Sequence, residues 1–143
     1  MSTATESQWV GLDIGTVRHG VAVADNATRL ALPLCVLPAQ PAATLAARLR
    51  KALAGRTPRA LVCGLPLDQH GNAGPAAQAV RHIATSLAGE LKLELHFVDE
   101  RFTTSAVQRP PKDKKRGKSH RSAPPDAQAA ALILQAFLDA NTG

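Results

Sequence analysis

The chain has 143 residues, 45% of them hydrophobic, a formal net charge of +6, no Tyr, one Trp and three Phe. That length suits one domain with a single real core, and so few rings exclude a surface that stacks many bases on aromatic side chains. No apolar stretch approaches the ~20 residues that cross a bilayer, and the opening MSTATESQ lacks a basic-then-apolar leader. These features predict a cytoplasmic protein without a membrane anchor. Cys35 and Cys63 have no C-x-x-C spacing and are predicted to be reduced and buried.

Residues 9–14 read as a strand apolar on both faces, and 19–24 as a second strand joined to it by a tight turn containing Gly15. LALPLCVL (30–37) is a third strand, which Pro33 confines to an edge or a bulge. The first strand then lies inside the sheet. From Pro41 the period changes: Leu45, Leu49 and Leu53 recur every four residues, and Gly55 closes a predicted helix. ALVCGLP (60–66) is a continuous apolar strand of the kind that parallel sheets bury. The loop DQHGNAG follows, and Pro75 opens a second helix with Ala79, Ile83 and Leu87 predicted to face inward. LELHFVDE (93–100) is a further strand. Residues 109–125 hold four prolines and little apolar content, which predicts a mobile loop. An amphipathic helix beginning near Asp126 closes the chain. The order β-β-β-α-β-α-β-α predicts an α/β fold in one domain spanning 1–143, with its core at about 9–139. Three antiparallel strands followed by β-α-β crossovers make a five-stranded mixed sheet flanked by helices.

Three acidic positions stand where ligands collect in such sheets. Asp13 ends the first strand, Asp99 and Glu100 end the last, and Asp126 opens the final helix. An unpaired carboxylate at the end of a buried strand is expensive. A cluster of them raises its own pKa values unless a cation intervenes. Mg²⁺ or Mn²⁺ suits such oxygen ligands, and a pair of these ions can stabilise both the attacking and the leaving oxygen of a phosphodiester. Each acid also has a plainer reading: Asp126 as a helix cap, and Asp99-Glu100 with Arg101 as a surface ion pair. Asp13 is the hardest to explain that way.

Charge distribution points in the same direction. Between Arg101 and Arg121 lie eight basic residues and one acid, Asp113, net +7, whereas the rest of the chain has nine basic and ten acidic residues. A concentrated positive segment is a footprint for a polyanion; its plain alternative is a solvated tail.

Together the segments GLDIGTVRHGVAVAD, VCGLPLDQHGNAGPAAQAVRHIATSL, FVDERFTT and DAQAAALILQAFL resemble the YqgF (RuvX) family from about Val10 to Leu138. That resemblance implies an RNase H-like fold and a divalent-metal nuclease site made by Asp13, Glu100 and Asp126. It favours Glu100 over Asp99, which the residues alone leave equivalent; neighbouring strand positions point to opposite faces, so only one reaches the metals. It further implies that Gly15 permits the tight turn and that Thr16 and Arg18 touch a phosphate. The loop around Gly71 is similar to the family's Gly-rich loop, which implies a helix start whose amides accept an anion. The same resemblance implies that Arg101, Thr103 and Thr104 flank the scissile backbone and that Lys118 and Arg121 clamp it further out. The chain departs from the family pattern at Ser122-Ala123-Pro124-Pro125, where a Lys and apolar residues are expected before the last aspartate.

The leading functional expectation is a metal-dependent endonuclease acting on precursor ribosomal RNA, in the context of ribosomal precursor particles, as a monomer or weak homodimer. Resolution of branched DNA is the alternative within that class. It needs a symmetric dimer, for which the sequence offers no coiled coil or obvious face. A non-catalytic nucleic-acid-binding factor is a second class. An actin-like or sugar-kinase phosphate turn, suggested by LDIGT, is a third; those enzymes close two domains around a nucleotide, and this chain has the length of one.

Overall fold

The computed structural model describes residues 8–100 and 125–141, with Pro125 and Asp126 described by backbone alone. Five strands form one sheet: β1 (Gln8–Asp13), β2 (Arg18–Asp25), β3 (Leu32–Pro38), β4 (Pro58–Leu65) and β5 (Glu94–Asp99). Their spatial order is β3-β2-β1-β4-β5. β1 pairs antiparallel with β2 and parallel with β4, while β2–β3 is antiparallel and β4–β5 parallel. β1 is therefore the central strand, apolar on both faces because both are covered. β3 is an edge strand whose pairing shifts register between Val21 and Ala22, opposite Cys35 and Pro33. The proline thus meets both of its constraints, since it lacks a ladder donor and sits at an irregularity on an edge.

Three α-helices cover the sheet: α1 (Leu45–Ala52), preceded by a 3-10 turn at Ala42–Thr44, α2 (Pro75–Leu91) and α3 (Pro125–Ala140). Alternation along β1 divides the core. Val10 and Leu12 pack with Leu45, Leu49, Leu53, Leu61 and Leu87 on the α1/α2 side. Ala22, Ala24, Val62 and the α3 residues Ala130, Ile133 and Leu134 pack on the other, with Trp9 against them. Leu12, Leu49 and Leu61 are fully buried, each contributing about 1.5–3 kcal/mol through its removal from water.

Two expectations need correction. The inward stripe of α2 is Ala77, Val80, Ala84, Leu87 and Ala88. Leu87 belongs to it, but Ile83 is half-buried and Ala79 is exposed. The eight-residue α1 is too short to cover that flank of the seventeen-residue α2. Cys63 is buried, but Cys35, on edge strand β3, is only half-buried. Both thiols are free, and burial pushes both up in pKa. No helix among the described residues is long and apolar enough to cross a membrane. The 109–125 loop expected to be mobile lies outside the described residues, apart from the backbone of Pro125.

Candidate active site

The site is built from the ends of two parallel-running strands that are not neighbours. Asp13 is the last residue of β1, and Glu100 directly follows β5, with β4 between them. Side-chain alternation decides which acids share a face. On β5, Leu95 and Phe97 pack into the α1/α2 core, whereas Val98 packs against α3. Asp99 therefore continues the α1/α2 face and Glu100 the α3 face. Trp9 packs on the α3 side, so Asp13, four positions on, faces α3 as well.

A missing side chain makes the contact between the two acids possible. A Cβ placed on Gly64 of β4 would stand 2.6 Å from Glu100 Oε2 and 2.7 Å from its Cγ. Glu100 thus lies across the bare backbone of β4 and reaches the Asp13 carboxylate, with which it shares a hydrogen bond. Burial, the negative charge of Asp13, that hydrogen bond and the charge of Asp99 push the Glu100 carboxyl up to about 7. Each of these causes favours the protonated form of Glu100 beside Asp13. Gly64 was missed as a site residue at the sequence level. An isolated glycine inside a strand pattern is the signal that points to such a close approach.

A second glycine sets the height of the covering helix. A Cβ on Gly11 would lie 2.7 Å from Leu134 Cβ and 2.8 Å from the Ala130 carbonyl oxygen, so α3 sits directly on β1. The Trp9 ring meets that of Phe137 at a tilt of 50°, with centroids 5.5 Å apart, which means that α3 runs opposite to β1. From Ala130 back to Asp126 the helix advances ~6 Å, matching the ~7 Å from Gly11 to Asp13 along the strand. The backbone of Asp126, in the first turn of α3, is therefore brought level with Asp13 at the sheet edge. Its side chain lies outside the described residues, as do Arg101, Thr103, Thr104, Lys118 and Arg121. Among the described residues no group of three His, Cys, Asp or Glu side chains converges; the described acids make a pair.

The turn after Asp13 is held closely. The Gly15 N–H donates to His19 Nδ1 at 3.1 Å, and the Ala39 N–H donates to the Val17 carbonyl at 2.9 Å. A Cβ on Gly15 would approach the Arg18 carbonyl oxygen to 2.6 Å, so only glycine fits there. Thr16 and Arg18 are exposed. Arg18 shares strand alternation with Ala22 and Ala24, which places it on the Asp13 face. Gly71 is remote from the acids in sequence and occupies a left-handed turn at φ +82°. There Asp68 Oδ1 accepts from the His70 and Asn72 N–H groups at 2.8 and 2.9 Å. Glycine at 71 is thus explained by backbone conformation. The loop leads to Gly74 and Pro75, where α2 starts without a side-chain cap or an acid in its first turn.

Two carboxylates that share a hydrogen bond, one of them raised in pKa by the other, form a donor set that a hard divalent ion satisfies in place of a shared proton. Oxygen-only donors, half-buried at a sheet edge, fit a hard divalent ion better than a softer metal.

Comparison with known proteins agrees with this frame. The family described as "RuvX: Holliday junction resolvase" matches residues 7–140. A protein of Roseiflexus sp. (strain RS-1) named "Putative pre-16S rRNA nuclease" is 39% identical over 130 residues, covering 91% of this chain and 92% of its own. One of the same name from Pseudomonas putida is 39% identical over 135 residues, covering 93% and 95%. Among solved structures, T. thermophilus RuvC in complex with Holliday junction substrate superposes with a TM-score of 0.59 at 18% identity, over 96% of both chains. That likeness establishes the RNase H-like fold. With the match running almost end to end, this chain belongs to the RuvX family.

Proposed function

We propose that this protein is a metal-dependent endonuclease that hydrolyses phosphodiester bonds at the 5′ end of precursor 16S rRNA. It would act in the cytoplasm on ribosomal precursor particles, as a monomer or weak homodimer. The observation that carries the reading is the Asp13–Glu100 pair, hydrogen-bonded across Gly64 with Glu100 raised to about 7. The names of the relatives supply the substrate class.

Asp13 and Glu100, joined by Asp126 from the first turn of α3, would hold Mg²⁺ or Mn²⁺. A bound ion of this kind supplies activated water and neutralises charge that develops on the phosphate. The chain's own residues do the rest. Gly64 keeps the path of Glu100 open, and Gly11 keeps α3 low enough to bring Asp126 level with Asp13. Thr16 and Arg18, on the turn fixed by His19, hold the phosphate beside the pair. Arg101, Thr103 and Thr104 follow Glu100 in the chain and flank the scissile backbone. The uncapped start of α2 after Gly71 accepts a further phosphate. Lys118 and Arg121, in the +7 segment, hold the strand through phosphate contacts and counterion release.

The family description names a different substrate, the Holliday junction, and keeps resolution of branched DNA as the second reading. One experiment addresses both. The purified chain and its Asp13→Asn variant are incubated with a precursor 16S rRNA fragment and with a four-way DNA junction, each in Mg²⁺, Mn²⁺ and EDTA. Cleavage of the RNA that needs metal and Asp13 is expected. Cleavage surviving in EDTA overturns the metal mechanism, and preference for the junction overturns the substrate. Binding by both proteins without cleavage identifies a non-catalytic factor.

A further inference from the structure

A groove of about 450 Å³ opens on the face of the sheet opposite the acid pair, between α2 and the start of α1. Its floor is aliphatic: Ile14, Ala39, Leu45, Ala46, Val80 and Leu87. One polar side chain joins them, His19, 2% exposed and the only buried polar residue among those described. The rim carries Thr16 and Gln40 at one end and His82, Ser86 and Glu90 along α2. The groove exists because α1 leaves one flank of α2 uncovered. Ala76, Ala79, Ile83 and Ser86 line it at steps of three and four residues. The acid pair uses none of these side chains.

The two sites meet at one turn. Ile14, Gly15 and Thr16 line the groove, and Asp13 immediately precedes them, two residues of chain spanning at most ~7 Å. His19 ties them together, because its Nδ1 accepts from the Gly15 N–H while its ring forms part of the groove floor. The groove thus begins at the residue that follows Asp13 in the chain.

We propose that the groove receives one unstacked nucleobase of the substrate strand, next to the phosphate held at Asp13 and Glu100. This rests on the nuclease reading above. Four observations select a base. The volume lies in the range of sites that enclose a small organic group, and is small for a helix ~10 Å wide running several turns. Among the described residues no Lys or Arg lines the groove, while Glu90 does, which disfavours a phosphate or other anion. An aliphatic floor with hydroxyl, amide, imidazole and carboxylate groups at the rim suits a flat apolar ring with hydrogen-bonding edges. Finally, Val17 stands 69% exposed at the tip of the intervening turn, an apolar side chain over which a strand can unstack. With one Trp, three Phe and no Tyr, the chain has few aromatic rings on which to stack a base instead.

Two measurements on the full chain test this. In the first, AMP, GMP, CMP and UMP are titrated in EDTA and followed by amide chemical shifts, with ribose 5-phosphate as the probe without a base. Shifts at His82, Ile83 and Ser86 with at least one nucleotide, and none at these residues with the sugar phosphate, are expected; Ala79→Leu, grown into the groove from an exposed helix position, abolishes them. In the second, RNA cleavage is compared on an intact strand and on strands made abasic at single positions around the scissile bond. Ala79→Leu is expected to raise KM on the intact strand roughly tenfold with little change in kcat. It should add no further loss on the strand lacking the critical base, because both changes remove the same contact. If Ala79→Leu fails to fold by circular dichroism, Ser86→Leu takes its place. Equal shifts with ribose 5-phosphate, an unchanged KM, additive losses, or a partner peptide seated in the groove would each overturn the proposal. Base-dependent shifts without any cleavage would support the base site and defeat the nuclease reading, so the two failures are distinguishable.

Discussion

The two faces of the sheet are built on opposite principles. On the α1/α2 face, large aliphatic side chains from β1, β2 and β4 fill the space beneath the helices. On the α3 face the strands carry Gly11, Gly64, Ala22 and Ala24. There α3 rests almost on backbone, and a glutamate can lie across a strand. Small residues at these positions bury less apolar surface, which weakens that half of the core. The difference teaches where the site comes from. Close approach on one face brings Asp13, Glu100 and the start of α3 to one edge, and filling on the other holds the turn behind Asp13 in place.

The sharpest way to break this contrast is to return a side chain to Gly64. In Gly64→Ala the new Cβ meets Glu100 Oε2 and Ile133 Cδ1, both at 2.6 Å and both the far ends of flexible side chains. The fold should survive while Glu100 is displaced, lowering cleavage by about a hundredfold. Gly64→Ala with full activity would show that Glu100 does not need that path. Gly11→Ala is the complementary case, because its Cβ meets Leu134 Cβ and the Ala130 carbonyl, parts of α3 that cannot swing aside. A loss of about 2 kcal/mol in urea unfolding is expected, clearly larger than that for Gly64→Ala. Equal losses would mean that the two glycines serve one purpose.

The smallest effect concerns pH. The folded protein holds the Glu100 carboxyl at about 7, above its ordinary value of 4.5. The native state therefore binds this proton more tightly than the unfolded chain does. Its stabilising effect is present at acid pH and is lost as pH rises through about 7, once Glu100 must ionise beside Asp13. In EDTA, this group should lower Tm by a few degrees between pH 5 and 8, and Glu100→Gln should remove that part of the slope. Added Mn²⁺ should restore Tm at pH 8, where the ion takes the place of the proton. A wild-type slope identical to that of Glu100→Gln would show that the carboxyl titrates normally.

Strand and helix order, the central place of β1 and the edge place of β3 follow from local pattern: apolar runs, a four-residue leucine repeat and prolines that strands tolerate only at edges. The opposition of Asp99 and Glu100 follows from alternation, although periodicity alone does not say which of the two faces Asp13. The inward stripe of α2 was misjudged at Ala79 because helical period defines a face without saying how much of it a shorter neighbour covers. Sequence by itself thus determined the elements, their order and the acids at strand ends, since these depend on residues close together in the chain. Only the tertiary structure decided that Glu100 crosses β4 to meet Asp13, that α3 lies low enough to carry Asp126 to their level, and that a groove opens behind the turn. Each of these depends on empty space between distant segments, at Gly64, at Gly11 and beside α1, and a gap between elements is written in no local pattern.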